Sequence, residues 1–309
     1  PSESMEITHG EVKTDKDGKF NIEFTAIPDL KIEKKFEPVF DYTVYADVTD
    51  INGETRSGEQ AVSVSYKAMK LVTDIPDVLP VDSLRNLAIR TENMNGEFIP
   101  ATAKVTISRL KEEKRLIRKR YWDRPDQFLM SKEDYVKLFP VDEYDNESDY
   151  TSWATGETAY TKSDSVQESG KWRVESGAFS PGFYMIEITA TGKNGDEVKS
   201  VEYTELFDEK SSQLNRAAYL WTNKKKAPVE PGETAKFNIG TTAENLFVIR
   251  QQINKTNSYS FIRLTNEKKT FDTHVKEEDR GGISSGWAFV KNNRFFQYTD
   301  ITNVPWSNK

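Results

Sequence analysis

The chain has 309 residues, no cysteine, and more acidic than basic side chains, giving a net charge of −7. Without cysteine there are no disulfides, thiolate metal sites or cysteine nucleophiles in this stretch, and the acidic balance excludes the basic footprint of a general nucleic-acid binder. Hydrophobic residues at 36% and charged residues at 30% fit two or three thin domains with much exposed surface better than one large core.

The first elements are strands. "TDKDGKFNIEF" and "YTVYADVTDINGETRSGEQAVSVSY" each carry an alternating apolar run and an Asp-Gly or Asn-Gly turn signal, centred on Gly18 and Gly53. Phe20, Ile22 and Phe24 share one strand face, as do Val44, Ala46 and Val48, and Val62 and Val64 on the returning strand. Their oxygen-rich turns also invite a calcium reading. An EF-hand loop aligned on Gly53 would begin at Val48, and one aligned on Gly18 at Lys13, neither of which offers an oxygen ligand. These are hairpin turns. The same pattern returns around Gly96 and Gly195, so the whole chain is expected to be all-β, a tandem of antiparallel β-sandwiches of macroglobulin or fibronectin type.

Punctuation divides the chain. Residues 1–72 make a first sandwich with too few strands to close, one that lacks its opening strands. "TDIPDVLP" (73–80) reads as a linker, and residues 73–210 form a second sandwich with an insertion at about 111–170. "DEKSSQLN" is a polar junction, and residues 211–309 form the third sandwich. The insertion is partly helical: Ser131 caps a helix, Glu133 and Asp134 occupy its first turn, and Pro140 stops it. Tyr135, Leu138 and Phe139 are its expected buried stripe. The basic run 111–120, with six cations and two glutamates, and the acidic run 141–150, with five carboxylates, are expected to face each other or solvent, a nucleic-acid or lipid role being the lesser alternative.

No constellation reads as catalytic. His9 and His274 fall in different sandwiches, and there is no nucleophile elbow, Walker loop or H-E-x-x-H. Gly281-Gly282 reads as a loop. Trp122, Trp153 and Trp172, with Tyr121 and Tyr150, either form a glycan platform or pack the strands; packing is the expectation. No catalytic, cofactor-binding or metal-ligating residue is assigned, and no cofactor is expected. No apolar run approaches the ~18 residues of a membrane-spanning helix. No charged-then-apolar leader opens the chain, and its start at Pro1 and close on "VPWSNK" read as a processed or excised piece, any export signal lying outside it.

The segments "TDKDGKFNIEF", "FDYTVYADVTDINGETRSG", "NMNGEFIPATAKVTISRL", "RYWDRPDQFLMSKEDYVKLFPVDEY" and "SPGFYMIEITATGKNGDE" together resemble the bacterial alpha-2-macroglobulins, particularly those of Bacteroides-type organisms. The resemblance covers most of residues 7–206 and is looser beyond. It implies seven-stranded macroglobulin domains in tandem, a cage around a bait segment, and capture of a protease by a Cys-Gly-Glu-Gln thioester. This chain has no cysteine, so no thioester residue carries over, and no bait segment is evident. The expected function is that of a non-enzymatic scaffold segment of a broad-spectrum endopeptidase inhibitor, periplasmic or at the bacterial cell surface. Its expected partners are target proteases, met through the full-length protein, and neighbouring macroglobulin domains, with no nucleic acid and no small-molecule substrate. The alternatives are a tandem Ig-like adhesion or glycan-binding protein and the accessory β-domains of a secreted hydrolase.

Overall fold

A computed structural model describes residues 5–175, 179–222, 228–254 and 256–306. The architecture is all-β, built from separate sheets in three successive units, antiparallel throughout except for one short parallel pair at an edge of the largest sheet. Among the described residues no helix is long and apolar enough to cross a membrane.

The first unit is a single hairpin, β1 (Val39–Thr49) with β2 (Thr55–Ser65), paired in register from Val39↔Ser65 to Thr49↔Thr55. Strand alternation turns Phe40, Tyr42, Val44 and Ala46 to one half-buried face; Val48, expected on that face, is exposed. No described residue of the hairpin is fully buried, because no second sheet covers it. Phe20, Ile22 and Phe24 are not in a strand. Their segment has no neighbour to pair with and lies against β1 through side chains: Phe24 meets Tyr42 at 5.6 Å, and the Tyr42 hydroxyl donates to the Ile27 carbonyl at 2.9 Å.

The turn chemistry repeats. Asp50 Oδ1 accepts the N–H groups of Asn52 (2.8 Å) and Glu54 (2.9 Å), and Gly53 N–H returns to the Asp50 carbonyl at 3.0 Å. Asp15 and Asn93 do the same for the turns at Gly18 and Gly96. Gly53 sits at φ 86°, where glycine alone is comfortable, while Asn52 keeps a negative φ. These are four-residue turns closed by a glycine bulge, and their carboxylates are spent on backbone N–H groups. A two-residue primed turn does occur, at Asn292-Asn293 (φ 47° and 57°).

The second unit is a true sandwich. One sheet holds β3 (Lys70–Thr73), β5 (Asn86–Glu92) and β8 (Lys171–Arg173). The other runs β4 (Val78–Pro80), β10 (Glu197–Phe207), β9 (Gly182–Gly192), β6 (Ala101–Leu110), β7 (Thr155–Ser165). Ala103, Val105 and Ile107 of β6 and Ile186, Ile188 and Ala190 of β9 are almost completely buried, facing Leu87 and Ile89 of β5. Each large side chain buried this way contributes about 1.5–3 kcal/mol. The stretch 73–80, expected as a linker, supplies pairing strands at both ends. Its prolines are tolerated because Pro80 ends an edge strand that pairs with only three residues of β10. β7 lies inside the range expected for the insertion, so the non-sandwich excursion is 111–154. As the outer strand it is polar nearly throughout, with Tyr160 its one buried side chain.

The third unit packs a two-stranded sheet, β11 (Thr234–Thr241) with β14 (Glu267–His274), on a four-stranded one. The latter runs β13 (Asn257–Leu264), β12 (Leu246–Ile253), β15 (Ile283–Lys291), β16 (Arg294–Thr302). Phe237, Ile239, Val248, Leu264 and Trp287 form its core, and a lone bridge of Trp221 to Gly240 extends the smaller sheet. The seven-strand expectation is thus met by neither sandwich strand for strand: the second has eight, the third six and that bridge.

Ile186 is fully buried between both sheets. Ile186→Ala is expected to destabilise the second sandwich by about 2–5 kcal/mol, read as a shift in its urea unfolding transition, with the transition of the third left in place.

Candidate functional site

The feature that organises the lower half of the molecule is the excursion between β6 and β7. Its neck is closed by the Lys111 N–H donating to the Ala154 carbonyl at 2.9 Å. Inside, of the two expectations for the basic and acidic runs, facing each other or facing solvent, pairing prevails. Arg118 and Asp142 form an ion pair whose Nε–Oδ1 arm is 2.7 Å, reinforced by the Arg118 N–H to the Val141 carbonyl at 2.7 Å. Arg124 pairs with Asp145. Glu147 receives Lys132 at 2.8 Å and Arg115 at 3.6 Å, and accepts the N–H groups of Tyr144 and Asp145. Glu143 accepts the N–H groups of Arg120 and Ser148. Buried carboxylates are tolerable where donors surround them in this way.

The helix forms where expected, α1 (Lys132–Leu138), with Ser131 Oγ accepting the Asp134 N–H at 3.1 Å. Its expected stripe is not buried: Leu138 is 66% and Phe139 44% exposed. The helix buries no residue, and Tyr135 instead meets Phe139 at 5.0 Å and Tyr144 at 5.3 Å within the excursion itself.

The excursion reaches the third sandwich. Leu116 packs on that sandwich's core, Arg118 donates to the Asn292 carbonyl, and Arg294 donates to the Lys119 carbonyl at 2.6 Å. The Arg294 guanidinium stands 3.8 Å from the centre of the Tyr121 ring, a cation–π geometry. On the other side Trp153 and Tyr150 both lie 5.0 Å from Phe183 of β9. The excursion is a strut between two sandwiches.

A second junction follows the chain itself. Glu205 of β10 is buried, with Arg216 at 2.9 Å and the Trp221 indole N–H donating to it at 3.0 Å. Phe207 meets Trp221 edge-on at 5.3 Å, and Lys268 of β14 donates to the Asp208 carbonyl at 2.6 Å. Between these groups lies a small crevice, open to solvent and lined by Phe183, Glu205, Arg216 and Lys268 among others. Burial pushes the Glu205 carboxyl up from its ordinary range, outweighing the opposing pull of Arg216 and Trp221. The hairpin unit is held to the second sandwich more lightly, by the Ser63 N–H donating to Asn95 Oδ1 at 2.8 Å.

The aromatic residues considered as a platform are not brought together. Trp172 lies in the second core with its indole N–H 3.3 Å from the Tyr160 hydroxyl, Trp153 and Tyr150 pack on Phe183, and only Tyr121 and Trp122 are exposed, at 77% and 68%. His9 is exposed beside Glu6, and His274 stands on β14 opposite Thr234 in another unit. Among the described residues no group of three or more histidine or acidic side chains is placed to hold a metal ion. The junction residues Glu205, Arg216 and Trp221 were not legible beforehand. Their only signal was a lone indole soon after the polar stretch 208–215.

No family model matches the chain. No curated protein matches it either. Solved structures similar to it include a tetra-tandem repeat in the extending region of a large adhesion protein, with 12% identity over 86% of this chain and 57% of that one, at a TM-score of 0.23. A 1.5-MDa bacterial ice-binding adhesin shares 13% identity over 78% of this chain and 66% of its own, also at 0.23. The native conformation of Escherichia coli alpha-2-macroglobulin shares 13% identity over 86% of this chain and 17% of its own, at 0.25. This chain therefore spans less than two thirds of each, and at such TM-scores the architecture rests on the chain's own sheets.

Two outcomes test the junctions. A carboxyl raised by folding contributes stability that is present below its unfolded pKa and lost as pH rises through the folded one. The contact of the second and third sandwiches should therefore weaken as pH climbs past the ordinary carboxylate range, and Glu205→Gln should flatten that dependence, followed by thermal midpoint against pH. Arg294→Ala should widen the angular spread between the two sandwiches in small-angle scattering while leaving strand content unchanged by circular dichroism.

Proposed function

We propose that this chain is a non-catalytic scaffold segment of an alpha-2-macroglobulin-like protease trap of the bacterial cell envelope. The observation that carries the reading is the strut: an ordered excursion that leaves the second sandwich, satisfies its own charges, and braces the third. A shell that must hold its shape around a protease and then rearrange needs neighbouring domains fixed in blocks, with lighter joints between blocks. The braced pair and the lightly tethered hairpin unit supply both kinds of connection, since small polar contacts between domains permit relative motion. The sequence resemblance to bacterial alpha-2-macroglobulins supports the same reading, and the envelope location goes with it. Target proteases would be met by the whole protein, not by a cleft of this segment, and no reaction is assigned to the segment itself.

A second reading, a tandem adhesion or glycan-binding module, is favoured by one observation: Tyr121 and Trp122, consecutive in the strut, are both exposed. Flat exposed rings of this sort suit sugar faces and protein partners alike.

The full-length parent distinguishes them. Mixed with several unrelated proteases, it is expected to take a single early cut, compact in scattering, and retain the protease through size exclusion. Gradual cutting at many sites without compaction or retention overturns the trap. Binding to a glycan array that Trp122→Ala abolishes would then establish the second reading.

A further inference from the structure

The third sandwich holds a cation with no counter-ion. Arg250 points from the inward face of β12 into the space between the sheets, its guanidinium 4.6 Å from the centre of the Phe271 ring and 5.3 Å from that of Trp287. Nε donates to Ser285 Oγ and Nη2 to Gln252 Oε1, each at 3.2 Å, and both acceptors are neutral. Nη1 meets no acceptor among the described residues, and the side chain is only half-buried, which leaves this edge open to a ligand from solvent. Among the described residues no carboxylate pairs with this group. Asp300 lies in line with Gln252 and Ser285 across the sheet and has an interaction of its own. Burial alone lowers the pKa of Arg250, with no acidic neighbour opposing it.

Two further donors belong to the same layer of side chains. Trp287 Nε1 and Thr273 Oγ1 are buried and have no hydrogen-bond partner, in residues 1% and 8% exposed. Trp287 is the direct cross-strand neighbour of Arg250, and Thr273 follows Phe271 on the inward face of β14. A buried donor that faces no acceptor loses its hydration without return. Here two such donors share a layer with a half-buried guanidinium that faces no carboxylate among the described residues, and an oxygen ligand would answer all three.

We propose that this part of the third sandwich is a binding site for a small oxyanion, a carboxylate or a phosphate, seated on the free edge of Arg250. The guanidinium offers parallel N–H groups in a fixed plane, which matches the two oxygens of a carboxylate or two of a phosphate. The rings of Phe271 and Trp287 hold that plane in place before the ligand arrives, and so remove part of the ordering cost of binding. The site is independent of the trap reading and stands or falls without it.

The test is a titration of the isotopically labelled chain with sodium acetate and, separately, sodium phosphate, with sodium chloride at matched ionic strength as control. The readouts are the Trp287 indole N–H resonance, assigned through Trp287→Phe, and the Arg250 Nε–H resonance. Acetate or phosphate is expected to move both saturably while chloride does not, the tighter of the two naming the ligand's chemistry. R250Q should abolish saturation without moving the other indole resonances. T273V, which keeps the side chain's shape but removes an unanswered donor, should raise the thermal midpoint in the absence of anion and weaken the anion response. A drift that never saturates, or one that is the same in R250Q and T273V as in the parent sequence, overturns the site.

Discussion

β6 and β7 are hydrogen-bonded neighbours, yet the chain travels from Leu110 to Thr155 between them. That return condition governs much of the rest. The ends of the excursion are pinned together at Lys111 and Ala154, and Gly156 lies so close to the Arg109 carbonyl that a Cβ would approach within 2.9 Å. A loop of that length with closed ends must satisfy its own polar groups or melt. It does so by setting four arginines against carboxylates delivered from its returning half. Three of those pairs, made by Arg115, Arg118 and Arg120, are partly buried and so differ from ordinary surface pairs, which contribute little; Arg124 with Asp145 is exposed.

The strut then determines how the sandwiches meet. One connection runs through the covalent link at 208–215, with Glu205, Arg216 and Trp221 locked around it; the other is remote in sequence, between Arg118, Lys119 and Asn292, Arg294. Two separated points of attachment restrict rotation in a way that a single linker cannot. The hairpin unit has no comparable second attachment among the described residues, and no closed core of its own. Stiffness in this chain is therefore a property of pairs of units.

Strand patterning made the all-β class legible from alternation and glycine turns, and the capped helix from Ser131, Glu133 and Asp134. The charge pairing of the excursion was also readable, since two oppositely charged runs of similar length flank one helix. What escaped has a common cause. Phe20, Ile22 and Phe24 alternate like a strand, but alternation states a preference for a pleated surface and does not supply a neighbour. Residues 73–80 look like a linker because prolines are rare in central strands, whereas edge strands accept them. Leu138 and Phe139 follow helical spacing, but spacing does not supply a core to bury them. The junction around Glu205 depends on contacts between residues of separate elements, and Arg250 looks like any strand arginine until its missing partner is seen.

The polar outer strand β7 has a consequence for a chain in which one sandwich follows another. Chains of similar domains hold one another's edge strands at high local concentration, during synthesis and after, and an apolar edge would invite the sheet of one domain to continue into the next. Lys162 and Asp164, paired at 3.0 Å, sit on that open rim among threonines and serines. A neighbouring sheet extending across it would have to strip water from both charges. The edge thus insulates the second sandwich from the sheets of its neighbours in the chain.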